Sequence, residues 1–195
     1  MKFSSIIIVI FLIISCENNK QKDLGQKDKV YLVFRDSESK EGYFAKKFNS
    51  DKNSNVSHVG ILYFRNDWYV LHADNLKGNC IQNIPLSKFR VIKNKEMDLK
   101  LLEIEELKAN KKFFSVVDSF SKLKKKFDLS FSKSSPDKTY CSRFVVDLIN
   151  KYDTTFKFKL SKKRLTNIES AFLNCDTLEY YPVDMFFSHT RFKKY

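Results

Sequence analysis

The chain has few of the residues that build repeats and flexible linkers. Its 195 residues include four glycines and three prolines, which excludes a collagen-like, glycine-rich or proline-rich segment. No internal repeat is visible in the sequence. Apolar residues, by contrast, make up 43% of the chain, and nineteen residues are Phe. A chain of this length and composition is expected to form one packed domain.

The sequence also lacks the short motifs of several enzyme classes. It contains no G-x-S-x-G elbow, no P-loop and no dinucleotide-binding fingerprint, so nothing indicates a nucleotide cofactor or a serine nucleophile of that type. Its three histidines and four cysteines show neither C-x-x-C nor H-E-x-x-H spacing, which argues against a zinc site. We therefore expect neither a metal nor another cofactor.

The charge is strongly positive, with a net value of +13 at pH 7. The basic residues are spread along the chain and no nucleic-acid-binding motif accompanies them, so we expect no nucleic-acid partner. For an exported protein the more natural partners are anionic: lipid headgroups, cell-wall polymers or acidic peptides. The alternative is a lysine-rich surface that only keeps the protein soluble.

The first residues have the composition of an export signal. Lys2 precedes the apolar run Ile6–Ile14, and the small residue Ser15 stands directly before Cys16. A basic residue and an apolar run shorter than the roughly 20 residues of a membrane span are typical of a secretory signal peptide. The end of this segment resembles a bacterial lipobox, which implies cleavage before Cys16 and lipid attachment to it. An uncleaved anchor is the alternative.

These features divide the chain into three parts. Residues 1–15 are predicted to be a lipoprotein signal peptide, residues 16–29 a polar tether and residues 30–195 the folded domain. The protein is then expected to be an exported bacterial lipoprotein, anchored to a membrane of the cell envelope and either periplasmic or surface-exposed.

The apolar patterns of the domain favour an α+β fold. Strands are expected first, with a helix at 42–50 between them, then a helical region from Glu105 to Lys126 whose apolar stripe includes Leu123, and then a helix from Cys141 with Thr139 as its N-cap. The expected strands and edge segments are Val30–Phe34, Val56–Tyr63, Trp68–His72, Ile84–Leu86, Phe89–Ile92 and Leu99–Ile104.

Cys141 stands at the start of its predicted amphipathic helix. The free N–H groups and the dipole of a helix N-terminus stabilise a thiolate, and the same N–H groups can hold an oxyanion. Cys141 is therefore a candidate nucleophile, although a small buried core residue is the plainer interpretation of a cysteine. The other two cysteines of the domain, Cys80 and Cys175, could pair as a disulfide or remain free thiols.

Two histidines lie on neighbouring predicted strands. His58 begins the run Val59–Leu62, beside the bare backbone of Gly60, and is a candidate general base. His72 ends the next strand and could orient the His58 imidazole, as the third group of a catalytic triad does. Asp74 has the same strand parity as His72 and is the competing orienting group.

The order histidine, polar residue, cysteine resembles the circularly permuted papain-like hydrolases of the NlpC-type superfamily, and within them the YiiX/YaeF-like amidases. That resemblance implies Cys141 as nucleophile, His58 as general base and His72 as third residue, although the branch often has an acidic residue at the last position. It implies a small antiparallel sheet packed on helices, with the nucleophile at a helix start. The matching segments are 57–61, 69–73, 84–86, 127–131, 140–142 and 181–185.

The function expected from this resemblance is hydrolysis of amide or ester bonds in the cell envelope. The substrate would be a peptide, an N-acyl amide or a lipid, and the enzyme a monomer. The His–His–Cys order also resembles lecithin:retinol acyltransferase-like proteins, which implies lipid acyl transfer or thioesterase-like activity as one alternative. A lipid-anchored binding protein of the same fold, without turnover, is the other.

Overall fold

The computed structural model describes residues 24–37, 39–76, 78–131 and 135–195. The expected signal peptide, Cys16 and the first part of the tether lie outside these residues. Within the described ranges, no helix combines the length and the apolar composition that crossing a bilayer requires.

The domain is a mixed structure of strands and helices, as the sequence predicts. The strands are β1 (Lys29–Arg35), β2 (His58–Arg65), β3 (Asp67–Ala73), β4 (Ile81–Pro85), β5 (Val91–Ile92), β6 (Lys95–Glu96), β7 (Lys100–Lys108), β8 (Lys126–Phe127), β9 (Lys138–Thr139), β10 (Ser161–Arg164), β11 (Thr177–Tyr180) and β12 (Phe192–Lys194). The helices are α1 (Lys40–Lys47), α2 (Leu86–Arg90), α3 (Lys111–Ser121), α4 (Cys141–Tyr152), α5 (Asn167–Leu173) and a 3₁₀ helix (Val183–Ser188).

Six of these strands form one antiparallel sheet in the order β12-β7-β1-β2-β3-β4. Its central strands are buried on both faces, which explains why they appear in the sequence as nearly continuous apolar runs. Along β1, Leu32 and Phe34 belong to the larger core that includes α3 and α4. Tyr31 and Val33 belong to a second core on the other face, with α2.

Helix α4 packs on this sheet and begins at Cys141, as the sequence predicts. Its buried residues include Phe144, Val145, Leu148 and Ile149, which recur at helical spacing. The expected cap was wrong: the N-cap is Tyr140, and its side chain makes no capping hydrogen bond. Thr139 instead lies in β9, where it pairs with Phe127 of β8.

Four further assignments differ from the sequence prediction: the boundary between β7 and α3, the place of Leu123, the start of α1 and the place of Phe89. Strand β7 continues to Lys108 and pairs with the C-terminal β12, so α3 begins only after Asn110, whose side chain caps it. Leu123 lies beyond the end of α3 and is 36% exposed. Helix α1 begins at Lys40, earlier than expected, because Ser39 caps it. Phe89, expected in an edge strand, lies in α2 and is fully buried.

Candidate active site

Cys141 lies at the first position of α4 with 3% of its surface exposed. Burial raises the pKa of its thiol to about 11, although the backbone N–H groups of Val59, Ser142 and Cys141 itself act in the opposite direction. The helix start therefore stabilises a thiolate, as the sequence suggested, but desolvation outweighs it. In this closed arrangement Cys141 is a neutral thiol at neutral pH.

His58 and His72 contact each other through their rings. The hydrogen bond between His58 Nε2 and His72 Nδ1 is 2.9 Å long, and the ring planes are perpendicular at 89°. The sheet register explains this contact, because His72 pairs with Gly60 and His58 lies two residues earlier on the same face of β2. When Nε2 of His58 donates in this bond, Nδ1 is the nitrogen that remains to accept a proton.

Burial lowers the pKa of both imidazoles. The pKa of His58 falls to about 4, and that of His72 lies well below its usual range, with the charge of His58 as a second cause. The negative charge of Asp74 acts against these shifts, whereas the positive charge of Arg35 adds to them. Both histidines are thus neutral at pH 7, and an imidazolium here would be stabilised mainly by Asp74.

Asp74 and Arg35 form an ion pair next to the two histidines. Arg35 ends β1 directly opposite His58, and its Nη2 lies 3.1 Å from Asp74 Oδ2. Burial acts to raise the pKa of Asp74, but electrostatic interactions with His58, His72 and Arg35, together with the backbone N–H of Asn75, outweigh burial and lower it. Asp74 is therefore ionised. His72 contacts the His58 ring directly, and Asp74 acts on both histidines through its charge.

Sequence reasoning missed Arg35 and Phe89. The Arg35 guanidinium carbon lies 4.3 Å from the centre of the Phe89 ring. The Nη1 group of the same guanidinium donates a hydrogen bond to the Phe89 carbonyl oxygen. The ring centres of His58 and His72 lie 5.7 and 5.1 Å from that of Phe89. Arg35 could have been found from the sequence, because it is a polar residue directly after the apolar run of β1 and that strand neighbours the strand of His58. Nothing local marked Phe89, which reaches the histidines from α2.

The thiol and the imidazole lie on adjacent elements but are not bonded. His58 shares its sheet face with Arg35 and His72, whereas Cys141 belongs to the core on the other face, beside Val59. Among the described residues, no hydrogen bond links Cys141 to His58. Catalytic hydrogen bonds often form only when substrate is bound, so this geometry describes a resting arrangement.

The start of α4 is fixed by the segment that follows β11. Ser142 Oγ donates to the carbonyl oxygen of Tyr181 over 2.6 Å, and the backbone N–H of Tyr181 donates to the hydroxyl oxygen of Tyr140 over 2.9 Å. These two bonds flank Cys141 in sequence. They hold the nucleophile candidate against the C-terminal part of the domain.

The cluster His58, His72 and Asp74 has its possible ligand atoms within 4.8 Å of one another. A divalent cation bound there would meet the positively charged guanidinium of Arg35 at the carboxylate of Asp74. The arrangement suits a hydrogen-bonded base better than a cation. Cys80 and Cys175 are both free, which resolves the alternative left open by the sequence: they form no disulfide.

Comparison with known proteins agrees with this fold. A family model of permuted papain-like amidase enzymes (YaeF/YiiX, C92 family) matches residues 32–183. The crystal structure of the metalloprotein yiiX from Escherichia coli O157:H7 is similar with a TM-score of 0.64 and 18% sequence identity, over 88% of this chain and 97% of that one. The comparison with curated proteins finds no match.

Proposed function

Because the chain belongs to the YaeF/YiiX (C92) family of permuted papain-like amidases, we propose that it hydrolyses amide bonds through Cys141, with His58 as general base. The observation that carries these roles is the bonded pair of His58, on β2, and His72, on β3, the two neighbouring strands against which α4 packs. The third member of the triad is His72, since it contacts the base directly. Asp74 supports the pair by its charge.

The reaction proceeds as acyl transfer to the thiol. His58 Nδ1 takes the proton of Cys141, and the thiolate attacks the carbonyl carbon of the amide. The backbone N–H of Cys141 donates to the oxyanion of the tetrahedral intermediate. Imidazolium His58 then gives its proton to the leaving amine, so the carbon–nitrogen bond breaks and a thioester remains. Water, deprotonated by His58, releases the acid and restores the thiol.

The resting site holds a neutral thiol and a neutral imidazole, so the ion pair forms only during the reaction. Different groups stabilise the two ions of this pair. Backbone N–H groups near the sulfur stabilise the thiolate, and ionised Asp74 stabilises the imidazolium. Entry of a substrate must bring His58 and Cys141 together. Iodoacetamide should consequently label Cys141 slowly at pH 7 without substrate, and faster as the pH approaches 11.

The proposed setting is the bacterial cell envelope. It rests on the basic residue, the short apolar run and the lipobox-like end at Cys16. A lipidated Cys16 would hold the domain at a membrane, where peptides and N-acyl amides of the envelope are the available substrates. Globomycin-sensitive processing and incorporation of labelled palmitate, both lost in Cys16→Ala, would be expected. Palmitate incorporation that persists in Cys16→Ala would contradict lipidation at this residue.

The decisive experiment is hydrolysis of fluorogenic amides, with peptidyl and fatty-acyl groups attached to aminomethylcoumarin. Activity should disappear in Cys141→Ala and fall by about 10²-fold or more in His58→Ala. Cys175→Ala is the matched control and should keep full activity, because this thiol is outside the site. EDTA should change nothing, since the steps use no metal. Mass spectrometry should find an acyl group on Cys141 after rapid acid quenching.

The same experiment separates the alternatives. Product acid without an acylated acceptor identifies a hydrolase, whereas transfer of the acyl group to an added amine or alcohol in preference to water identifies an acyltransferase. Undiminished hydrolysis in Cys141→Ala would contradict the proposal. If no substrate class acylates Cys141 in a folded protein, the result favours a binding protein without turnover. The burial of Cys141 is the observation on the side of that alternative.

A further inference from the structure

Helices α1 and α5 carry a continuous strip of exposed apolar side chains. Tyr43, Phe172 and Ile168 are 63%, 59% and 84% exposed. The strip is continuous because Phe44 stacks on Phe172, with ring centres 4.4 Å apart and planes inclined by 11°, and also contacts Tyr43 at 5.9 Å. Ile168 precedes Phe172 by one helical turn. We name this set of residues the α1/α5 strip: Tyr43, Phe44, Ile168 and Phe172.

A single exposed apolar residue needs no explanation, but a connected group of this kind marks an interaction surface. The core under the strip does not require it. Buried residues such as Phe48, Leu173 and Tyr180 already form the cluster below. The exposed parts of Tyr43, Ile168 and Phe172 therefore contribute little to folding, and their apolar surface is available to a partner.

Basic residues lie beside the strip. Lys40 and Lys47 are exposed on α1 at helical spacing from Tyr43. The ammonium group of Lys163, on β10, lies 4.6 Å from the centre of the Phe48 ring, in the cluster below the strip. The carboxylate of α5, Glu169, is buried and bonded to Lys47 at 3.0 Å. The nearby surface thus combines an apolar centre with a positive rim.

The carboxylate of α1 is also occupied. Glu41 Oε1 accepts a hydrogen bond of 2.8 Å from the side chain of Asn75. Asn75 follows Asp74 of the candidate active site, so α1 is joined directly to that site. Anything bound to the α1/α5 strip is therefore held close to the loop that carries Asp74.

We propose that the α1/α5 strip docks the domain on an anionic phospholipid surface. Tyr, Phe and Ile beside a lysine rim are the combination that inserts shallowly between lipid headgroups, since the apolar groups leave water and the cations meet the lipid phosphates. A second copy of this chain is disfavoured by charge, because each copy carries +13. The proposal does not depend on Cys141 being catalytic.

The test places a fluorescent reporter in the strip of the full chain, reconstituted in vesicles. The chain has one Trp, Trp68, which is buried, so Trp68→Phe supplies a dark background. Ile168→Trp reports on the strip, and Val91→Trp, at a 44% exposed position on β5, is the matched control. The vesicles contain phosphatidylethanolamine with brominated phosphatidylglycerol, or brominated phosphatidylcholine alone.

Docking predicts a blue shift and several-fold stronger bromine quenching for Ile168→Trp than for Val91→Trp in the anionic vesicles. Adding Lys40→Gln and Lys47→Gln should reduce that quenching, as should replacing the anionic lipid. Because both reporters share the same N-terminal segment, the comparison does not depend on how that segment attaches. Phe172→Trp is a second reporter if Ile168→Trp fails to fold.

Equal quenching at positions 168 and 91 would overturn the proposal. A blue shift at position 168 that depends on protein concentration, and not on lipid, would also overturn it, since this outcome identifies a second copy as the occupant. Repeating the measurement with Cys141→Ala keeps the result separate from the proposed catalysis: quenching should be unchanged while amide hydrolysis is lost.

Discussion

The chemistry of single residues in this protein is decided by a competition between burial and charge. Cys141 sits among N–H groups that favour its thiolate, yet burial raises its pKa to about 11. His58 lies near ionised Asp74, yet burial lowers its pKa to about 4. Each unit of pKa corresponds to about 1.4 kcal/mol, so these opposing effects are large. Burial therefore keeps both the thiol of Cys141 and the imidazole of His58 neutral at pH 7.

His72 offers the clearest test at this scale. His72→Asp places a negative charge beside the His58 ring and should raise the pKa of His58, because an opposite charge favours the imidazolium. The acidic limb of the kcat/KM profile should then move to higher pH. His72→Asn, which has nearly the same shape without the charge, should leave the limb in place. The measurement is kcat/KM for an amide substrate against pH.

If the two variants have the same acidic limb, a charge at position 72 does not affect the base, so residue 72 does not lie against His58 during the reaction and the proposed triad is wrong. A change in KM alone, with kcat intact, would assign His72 to substrate binding instead. Retention of kcat in His72→Asn would further show that a neutral hydrogen-bonding group is sufficient to orient His58.

At the scale of elements, the pairing of β2 with β3 brings the two histidines together. Gly60 faces His72 in the register, and a Cβ at Gly60 would lie 2.6 Å from Val70 Cγ1 and 3.0 Å from His72 Cβ. Glycine is required here because there is no space for a side chain, and the reason is steric. The bare backbone expected at this position from sequence serves the strand pairing itself.

Gly60→Ala should therefore both destabilise the fold and displace His72. The overpacked strand pair is expected to cost about 1–3 kcal/mol, measured as a lower urea midpoint, and kcat should fall. Adding Val70→Ala removes the closest atom and should restore part of both losses, although Val70→Ala by itself leaves a cavity. Strict additivity of the two changes would contradict the steric account.

Two of the elements that were misassigned from sequence share a cause. Strand β7 extends to Lys108 because β12, from the other end of the chain, pairs with it. Thr139 belongs to a short parallel pair with Phe127 rather than to a helix cap. In each case a partner distant in sequence replaced the local preference, and periodicity alone carries no information on such a partner.

At the scale of the whole molecule, buried titratable groups define the pH range of stability. The folded-state pKa of His58 is lowered from 6.5 to about 4, so its contribution is fully present above pH 6.5 and is lost as the pH falls towards 4. The folded-state pKa values of Cys80 and Cys141 are raised from 9.0 to about 11. Their contribution is fully present below pH 9 and is lost as the pH rises towards 11.

The urea midpoint should accordingly be highest between about pH 6.5 and 9 and should fall on both sides. Cys141→Ala should flatten the alkaline fall, since a shift of two units corresponds to at most about 3 kcal/mol, and Cys80→Ala should flatten it further. His58→Ala should flatten the acidic fall only. An alkaline limb that is unchanged in the double cysteine variant would show that these thiols ionise freely in the folded protein.

The sequence by itself determined which segments form the central strands, where the helix of Cys141 begins and that two histidines occupy neighbouring strands. These features follow from local apolar periodicity, which can be recognised in a single sequence. Its resemblance to permuted papain-like amidases was confirmed by the family match over residues 32–183. The roles of Cys141, His58 and His72 stay predictions, as does the lipid anchor at Cys16.

Only the tertiary structure decided how these residues interact. It paired His58 with His72, placed Arg35 beside Asp74, brought Phe89 against both histidines and fixed the start of α4 through Tyr181. It also buried Cys141, which reverses the pKa expected from the helix start alone. Burial and register depend on residues far apart in the chain, whereas a sequence pattern encodes the local backbone, and that is why the chemistry of the site emerged only from the fold.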